Sequence, residues 1–422
     1  MTGGPLRTAE IIAVGSEMLG DTRLDTNSLY LASRLASLGI VLRRKFVVGD
    51  DRADLISSLQ SALARADVVI LTGGLGPTDD DITRETVASW LELELQEEPA
   101  IVETIARRFA KRGLRMPAVN RKQALVPRGA TVLPNPHGTA PGLLIFTGSR
   151  IVVMLPGPPR ELQPMFEAVM VDVLAPRAGG DRLHQAVLFV AGRGESHVEE
   201  VAQPLYAPWT SERQPIATTI LASPGMIELH LTLRSPDGEA AARRLGQARD
   251  ALVAALGPDV FSTDGRTMDM VAGDLLRDGG MTIAVAESCT GGLLMSRLTD
   301  VPGSSAYALC GVVAYSNEAK TALAGVPPQL IQAHGAVSEP VAIALADGIR
   351  ARSGAAIGVG VTGIAGPGGG TPQKPVGTVA IAVSGIGPGR VRTHWFAGGR
   401  PQVKFLATQA ALDMVRRALL EV

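Results

Sequence analysis

Short apolar runs alternate with helix-period segments along the first third of the chain. Ala9–Val14 predicts a strand ending at Gly15-Ser16-Glu17, and Thr26–Leu38 has helical spacing that stops at Gly39. Ile40–Val48 reads as a strand, Ala53–Leu63 as a helix, and Asp67–Leu71 as a buried strand running into Gly73-Gly74. Ile82–Leu93 continues as a helix. Ile151–Leu155 is a further strand, closed by Pro156-Gly157-Pro158-Pro159 and followed by a helix to about Val173. Strands alternating with helices imply a parallel sheet with right-handed crossovers.

A break at Pro176–Asp181 opens a smaller segment. Ala186–Ala191 and Met226–Leu233 read as strands and Glu239–Leu256 as a helix, a small α+β module without a chemical motif. The α/β alternation returns after a second break at Pro258–Arg266. Met268–Arg277 is helical, and Thr282–Ala286 is a strand entering Glu287-Ser288-Cys289-Thr290-Gly291-Gly292. Leu293–Leu298, Glu339–Ser353 and Val403–Leu420 are helical. Gly311–Tyr315, Ala356–Thr362, Gly377–Val383 and Val391–Phe396 read as strands. The predicted organisation is an α/β parallel-sheet domain over 1–175, an α+β module over 176–262 and a second α/β domain over 263–422.

Composition narrows the function classes. The 422 residues are 46% hydrophobic and 19% charged, enough for a core in each domain. A net charge of −1 supplies no broad basic field, and 4% aromatics leave few stacking platforms, so nucleic-acid binding is not expected. Cys289 and Cys310 form neither a metal-ligand pattern nor a disulfide framework. Met1–Arg7 lacks an apolar leader, and no apolar run nears the ~20 residues of a membrane span. The expectation is a soluble, cytoplasmic protein with no membrane partner.

Three turns of the first domain carry chemistry: Gly15-Ser16-Glu17, Gly73-Gly74-Leu75-Gly76-Pro77-Thr78-Asp79-Asp80-Asp81-Ile82-Thr83, and Pro156-Gly157-Pro158-Pro159-Arg160-Glu161. Glycines at the carboxyl ends of parallel strands let the backbone approach a phosphate, and a following helix favours anions. Asp80 and Asp81 suit a divalent cation held against phosphates, with Glu17 as a further acid. Acids in a first helical turn also simply complement the helix dipole. Together with Asn135-Pro136-His137-Gly138-Thr139-Ala140-Pro141-Gly142, these strings resemble the CinA (competence/damage-inducible protein A) family. The resemblance implies a molybdopterin-binding-like domain associated with ADP-ribose pyrophosphatase activity. That activity depends on a divalent metal (Mg²⁺ or Co²⁺) and on K⁺. It places the metal at Asp81 first, with Asp80 and Glu17 as weaker correspondences. The substrate-binding set expected there is Gly15, Glu17, Gly73, Gly74, Asn135, Pro156 and Gly157. Pterin or nucleotide binding without turnover is the alternative.

In the last domain, Ser288 sits at a strand-to-helix turn, where a nucleophile finds an oxyanion site beside it. His334 and His394 lie in no triad-like context, so Lys320 in Tyr315-Ser316-Asn317-Glu318-Ala319-Lys320 is the candidate base if burial lowers its pKa. Read singly, Ser288 is equally a helix N-cap, Lys320 a surface lysine, Cys289 an alternative nucleophile, and Gly363–Gly370 either a flexible or a phosphate-cradling loop. Ala286-Glu287-Ser288-Cys289-Thr290-Gly291-Gly292, Tyr315–Lys320, His334–Pro340, Thr362–Pro367 and Lys374–Val379 occur in the order of the CinA C-terminal domain, and the resemblance implies a nicotinamide-nucleotide amidohydrolase. It places the nucleophile on Ser288, its partners on Lys320 and Tyr315, a hydroxyl on Thr362, and the phosphate-binding arginine on Arg400. Oxyanion donors are expected among Cys289, Thr290 and Gly291 or at Thr362 and Gly363. The implied substrates are nicotinamide mononucleotide and ADP-ribose, with no cofactor in this half, and the assembly implied is a homodimer. A competence-linked, non-catalytic interaction protein is the alternative.

Overall fold

The computed structural model describes residues 4–21, 23–387 and 389–421. Met1–Gly3, which begin the segment read as leaderless, lie outside them. The chain divides into two compact units, residues 1–184 with 234–242 and residues 185–233 with 243–422.

The first unit runs β1 (Thr8–Val14), α1 (Asn27–Ser37), β2 (Val41–Val48), α2 (Arg52–Arg65), β3 (Val68–Thr72), α3 (Thr83–Trp90), β4 (Leu95–Glu97), α4 (Pro99–Ala110), β5 (Leu125–Pro127), β6 (Thr131–Leu133), β7 (Gly142–Thr147), β8 (Arg150–Leu155) and α5 (Pro159–Val169). Its main sheet has the order β2-β1-β3-β8-β7-β6. β1 sends Ala9 and Ile11 into one core layer and Ile12 and Val14 into the other. β3 divides Val68 and Ile70 from Val69 and Leu71 in the same way. Burial on both faces explains why these runs are almost entirely apolar; the exception in the middle of β1, Glu10, is buried and paired with Arg65 at 3.0 Å. β7 departs from the all-parallel expectation and runs antiparallel to both its neighbours, β8 and β6. The β7–β8 link turns tightly through Gly148 at φ 59°, far too short for a crossover.

The segment 176–262 has a sheet of its own, β10-β11-β9-β12, and is divided between the two units. Its elements are β9 (Arg182–Val190), α6 (Glu195–Tyr206), β10 (Ile216–Ser223), β11 (Met226–Ser235), α7 (Gly238–Leu256) and β12 (Val260–Ser262). α4, α6, β7 and β10 are absent from the sequence reading.

The remainder runs α8 (Met268–Asp278), β13 (Ile283–Glu287), α9 (Leu293–Thr299), β14 (Ala308–Val313), α10 (Asn317–Ala324), α11 (Pro328–His334), α12 (Glu339–Ser353), β15 (Ile357–Gly363), β16 (Thr378–Ser384), β17 (Arg390–Trp395) and α13 (Arg400–Leu419). The sheet order is β14-β13-β15-β16-β17. The first three strands are parallel, so Ser288, the Ala314–Ser316 loop and Gly363 emerge at one edge. The β15–β16 and β16–β17 pairs are antiparallel.

α12 presses its backbone onto β15. A Cβ at Gly360 would stand 2.2 Å from the Ala342 carbonyl oxygen, and one at Gly358 2.1 Å from that of Ala346. Gly360→Ala must therefore lift α12 off the sheet. We expect a loss of about 1–3 kcal/mol, read as a lower urea midpoint. An unchanged midpoint would mean that the helix is not seated on this strand. No helix among the described residues is long and apolar enough to cross a membrane.

Candidate active site

β13 ends at Glu287, and the chain turns at Ser288. The Ser288 amide donates to the Val361 carbonyl at 2.9 Å, and the Gly291 amide donates back to the Ser288 carbonyl at 3.2 Å. The N-cap of α9 is Gly292, which has no side chain to satisfy the helix's free amides. Glu287 does this instead. Its buried carboxylate accepts from the amides of Gly292 and Leu294 at 3.0 Å and of Met295 at 2.9 Å. The acid before the serine thus holds the turn that presents it, a role the sequence reading missed although the residue stood in the quoted string.

Lys320 comes from α10, whose N-cap Ser316 accepts from the Ala319 amide at 3.1 Å. The side chain is buried. Its Nζ lies 3.0 Å from Ser288 Oγ and donates to the carbonyls of Ala314 at 3.2 Å and Tyr315 at 3.0 Å. A neutral amine has two N–H bonds and one lone pair. With two carbonyls taking the N–H bonds, the lone pair is left for the Ser288 hydroxyl. Burial lowers the Lys320 pKa from the ordinary lysine value, and Cys289 and Glu318 oppose that shift.

Ser288 and Lys320 open into a cavity of about 420 Å³ with Cys289, Tyr315, Thr362, Gly363 and Arg400 on its walls. Ser316, Asn317, Ala336, Val337 and Ala365 complete it and were not singled out from sequence. The Ala336–Val337 wall is pinned twice: Thr362 Oγ1 donates to the Ala336 carbonyl at 2.7 Å, and Lys374 Nζ donates to the Val337 carbonyl at 2.6 Å. Tyr315 meets Lys320 through its backbone carbonyl. Its exposed hydroxyl accepts instead from Arg400 Nη2 at 3.1 Å. Arg400 also donates to the Gly366 carbonyl at 2.8 Å, so it bridges the loop after β14 and the glycine loop.

The expected oxyanion donors narrow. The Gly291 amide is engaged by Ser288 and that of Gly292 by Glu287. Cys289, Thr362 and Gly363 line the cavity, and Thr290 does not. The Thr290 side chain is fully buried, its hydroxyl unpartnered among the described residues. Burial pushes the Cys289 thiol up to about 12, so it is a protonated thiol at neutral pH and a poor nucleophile. Cys289→Ala is therefore expected to keep most of the wild-type rate, and the wild-type protein itself to resist inactivation through Cys289 by iodoacetamide. A collapse in rate would reassign the nucleophile.

In the first unit, the three glycine-bearing turns meet around a cavity of about 640 Å³. Gly15, Glu17, Gly73, Gly74, Asp80, Asp81, Pro156 and Gly157 all line it. Gly73 has φ 93°, and a Cβ there would stand 2.3 Å from the Val14 carbonyl oxygen. Asn135 does not line the cavity. Its Nδ2 donates to the Ala140 carbonyl and to Glu161 at 2.8 Å, and its Oδ1 accepts from the Gly138 amide at 2.7 Å, so it shapes the loop. Glu17, Asp25, Asp50, Asp80, Asp81 and Glu161 face Arg23 as the one basic residue of this lining. Asp81 accepts from the Thr78 amide at 2.9 Å and from its hydroxyl. Among the described residues no three His, Cys, Asp or Glu side chains cluster closely enough to hold a metal ion. A divalent cation at this lining would have to be held by one or two carboxylates together with phosphate oxygens of a ligand.

Residues 266–419 match the family described as "CinA C-terminal domain", and residues 10–176 the family described as "Probable molybdopterin binding domain". The CinA-like protein of Koribacter versatilis is 45% identical over 98% of this chain and 100% of its own. The chain belongs to the CinA family. A relative from Symbiobacterium thermophilum is 46% identical over 98% of this chain and 99% of its own length. A crystal structure of CinA with unknown function from Thermoplasma acidophilum is 33% identical, covers 40% of this chain and 98% of that one, and has a TM-score of 0.37. CinA membership, the α/β class and the molybdopterin-binding-like first domain thus agree with the sequence reading.

Proposed function

We propose that the C-terminal domain hydrolyses the carboxamide of nicotinamide mononucleotide. The observation that carries this reading is Lys320 Nζ at 3.0 Å from Ser288 Oγ, with the other amine positions occupied by backbone carbonyls. Neutral Lys320 takes the Ser288 proton as Oγ attacks the carboxamide carbon. The amides of Cys289 and Gly363, both on the cavity wall, are the candidates to hold the developing oxyanion. The Lys320 ammonium then gives its proton to the departing nitrogen, and ammonia leaves. Water, deprotonated by Lys320, cleaves the ester to nicotinic acid mononucleotide and restores Ser288. Arg400 and the glycine loop take the 5′-phosphate, a planar cation against an anion. We read the protein as a cytoplasmic homodimer. The test compares nicotinamide mononucleotide with nicotinamide riboside and follows the acid product by chromatography. The account expects conversion of the nucleotide and a KM for the riboside roughly tenfold or more higher, the loss of one charge-assisted anchor. An unconverted nucleotide in the presence of folded protein removes the reading.

A second reading concerns the first unit. We infer a metal-dependent pyrophosphatase acting on ADP-ribose, supported by the acidic lining of its cavity. Six carboxylates facing one arginine repel a diphosphate unless cations sit between them. When bound, a divalent cation supplies charge neutralisation and water activation, and K⁺ serves as a further counter-ion. Asp81→Asn should then lower metal-supported AMP release from ADP-ribose by roughly 10²-fold, without touching ammonia release. Equal AMP release with chelator and with metal would leave pterin or nucleotide binding as the role of this unit.

A further inference from the structure

A second cavity of the C-terminal unit shares no lining residue with the Ser288 cavity. Its volume is about 480 Å³, within the usual range for small-molecule pockets. β17 and the residue after it contribute Arg392, His394 and Phe396, alternate positions on one face of an edge strand. α13 contributes the stripe Leu406, Ala410, Asp413, Met414 and Arg417. The β10–β11 turn closes over them. There Gly225, at φ 74°, sits so near α13 that a Cβ would stand 2.8 Å from Gln409 Cγ.

The polar groups divide into satisfied and unsatisfied ones. Arg417 is held by Asp413 at 2.7 Å and by Asp259 at 2.8 Å, and Arg193 pairs with the same Asp259. Those charges cancel within the wall. The Arg392 side chain has no ion pair or hydrogen bond among the described residues. His394 Nε2 is buried with no partner among the described residues. Burial, with Arg392 beside it, lowers the His394 pKa against an opposing pull from Asp413, so the ring is neutral at pH 7. Its plane lies parallel to that of Phe396, with an 8° angle and 5.4 Å between centroids. Met226 and Met414 add soft, polarizable surface. The cavity thus combines a flat aromatic wall and one uncompensated cation.

We propose that this cavity is a second small-molecule site that takes a heteroaromatic anion of mononucleotide size. The ring lies against His394 and Phe396, and the anionic group meets Arg392. The site stands independently of the amide chemistry at Ser288.

The test uses the full chain with AMP as the probe. The His394 imidazole NMR signal is assigned by its disappearance in His394→Gln. AMP is expected to shift it, and the exposed substitution Arg392→Gln to weaken that response roughly tenfold or more in affinity. Adenosine and inorganic phosphate, each carrying half of the chemistry, should bind less tightly than AMP. Because the first unit also has a cavity suited to nucleotides, the titration is repeated in Asp81→Asn, where the His394 response should persist. A signal unmoved up to the solubility limit of AMP overturns the proposal. So does a response that Arg392→Gln leaves intact, or phosphate binding as tightly as AMP.

Discussion

Ser288→Ala is expected to cut amide hydrolysis by about 10⁴–10⁶-fold, the scale of losing a serine nucleophile, while the protein stays folded. The turn does not depend on the hydroxyl. Its backbone is held by the Val361 carbonyl and the Gly291 amide, and the adjoining helix end by Glu287. The one side-chain bond removed is the one to Lys320. Nothing nearby takes over, because the neighbouring thiol is held protonated by burial. Turnover and a melting curve on the same preparation check both halves. A folded variant with substantial activity would place the chemistry elsewhere.

Lys320→Met should cost roughly 10²–10⁴-fold in kcat, the contribution of a positioned general base. Lys320→Arg separates two meanings of that loss. A guanidinium keeps the positive charge but does not deprotonate in proteins. If Lys320 acts as a base, arginine is as inactive as methionine. If it only stabilises charge, arginine restores part of the rate. The pH dependence has a definite sign. The active form is the neutral amine, so kcat/KM rises as pH climbs through the folded-state pKa of Lys320. Burial has lowered that pKa from the ordinary lysine value, so the limb lies below the ordinary lysine range near ~10.4. A profile falling with pH would contradict the assignment.

Much of the fold was legible because parallel strands buried on both faces leave unbroken apolar runs, as at Val68–Leu71 and Ile283–Ala286. What escaped carries a weaker pattern. β7 joins β8 by a tight turn and needs no helix, so the strand–helix alternation concealed it. β10 exposes most of one face and reads as mixed. The site was legible where a motif supplied a residue with unusual chemistry, as with Ser288 and Lys320. It was illegible where contacts are made by backbone or by distant chain. Tyr315 contributes a carbonyl to Lys320, which no side-chain reading reveals, and Glu287 acts through helix amides that its letter does not announce. Asn135 stood in a glycine loop like its neighbours, yet its amide is used up in shaping that loop.

The most direct test of the Ser288–Lys320 account is ammonia release from nicotinamide mononucleotide by the full chain in the presence of a metal chelator, side by side with Ser288→Ala. The account predicts steady release by the wild-type protein, matched mole for mole by nicotinic acid mononucleotide, and none by the variant. No release from folded wild-type protein, or equal release from both, would contradict it.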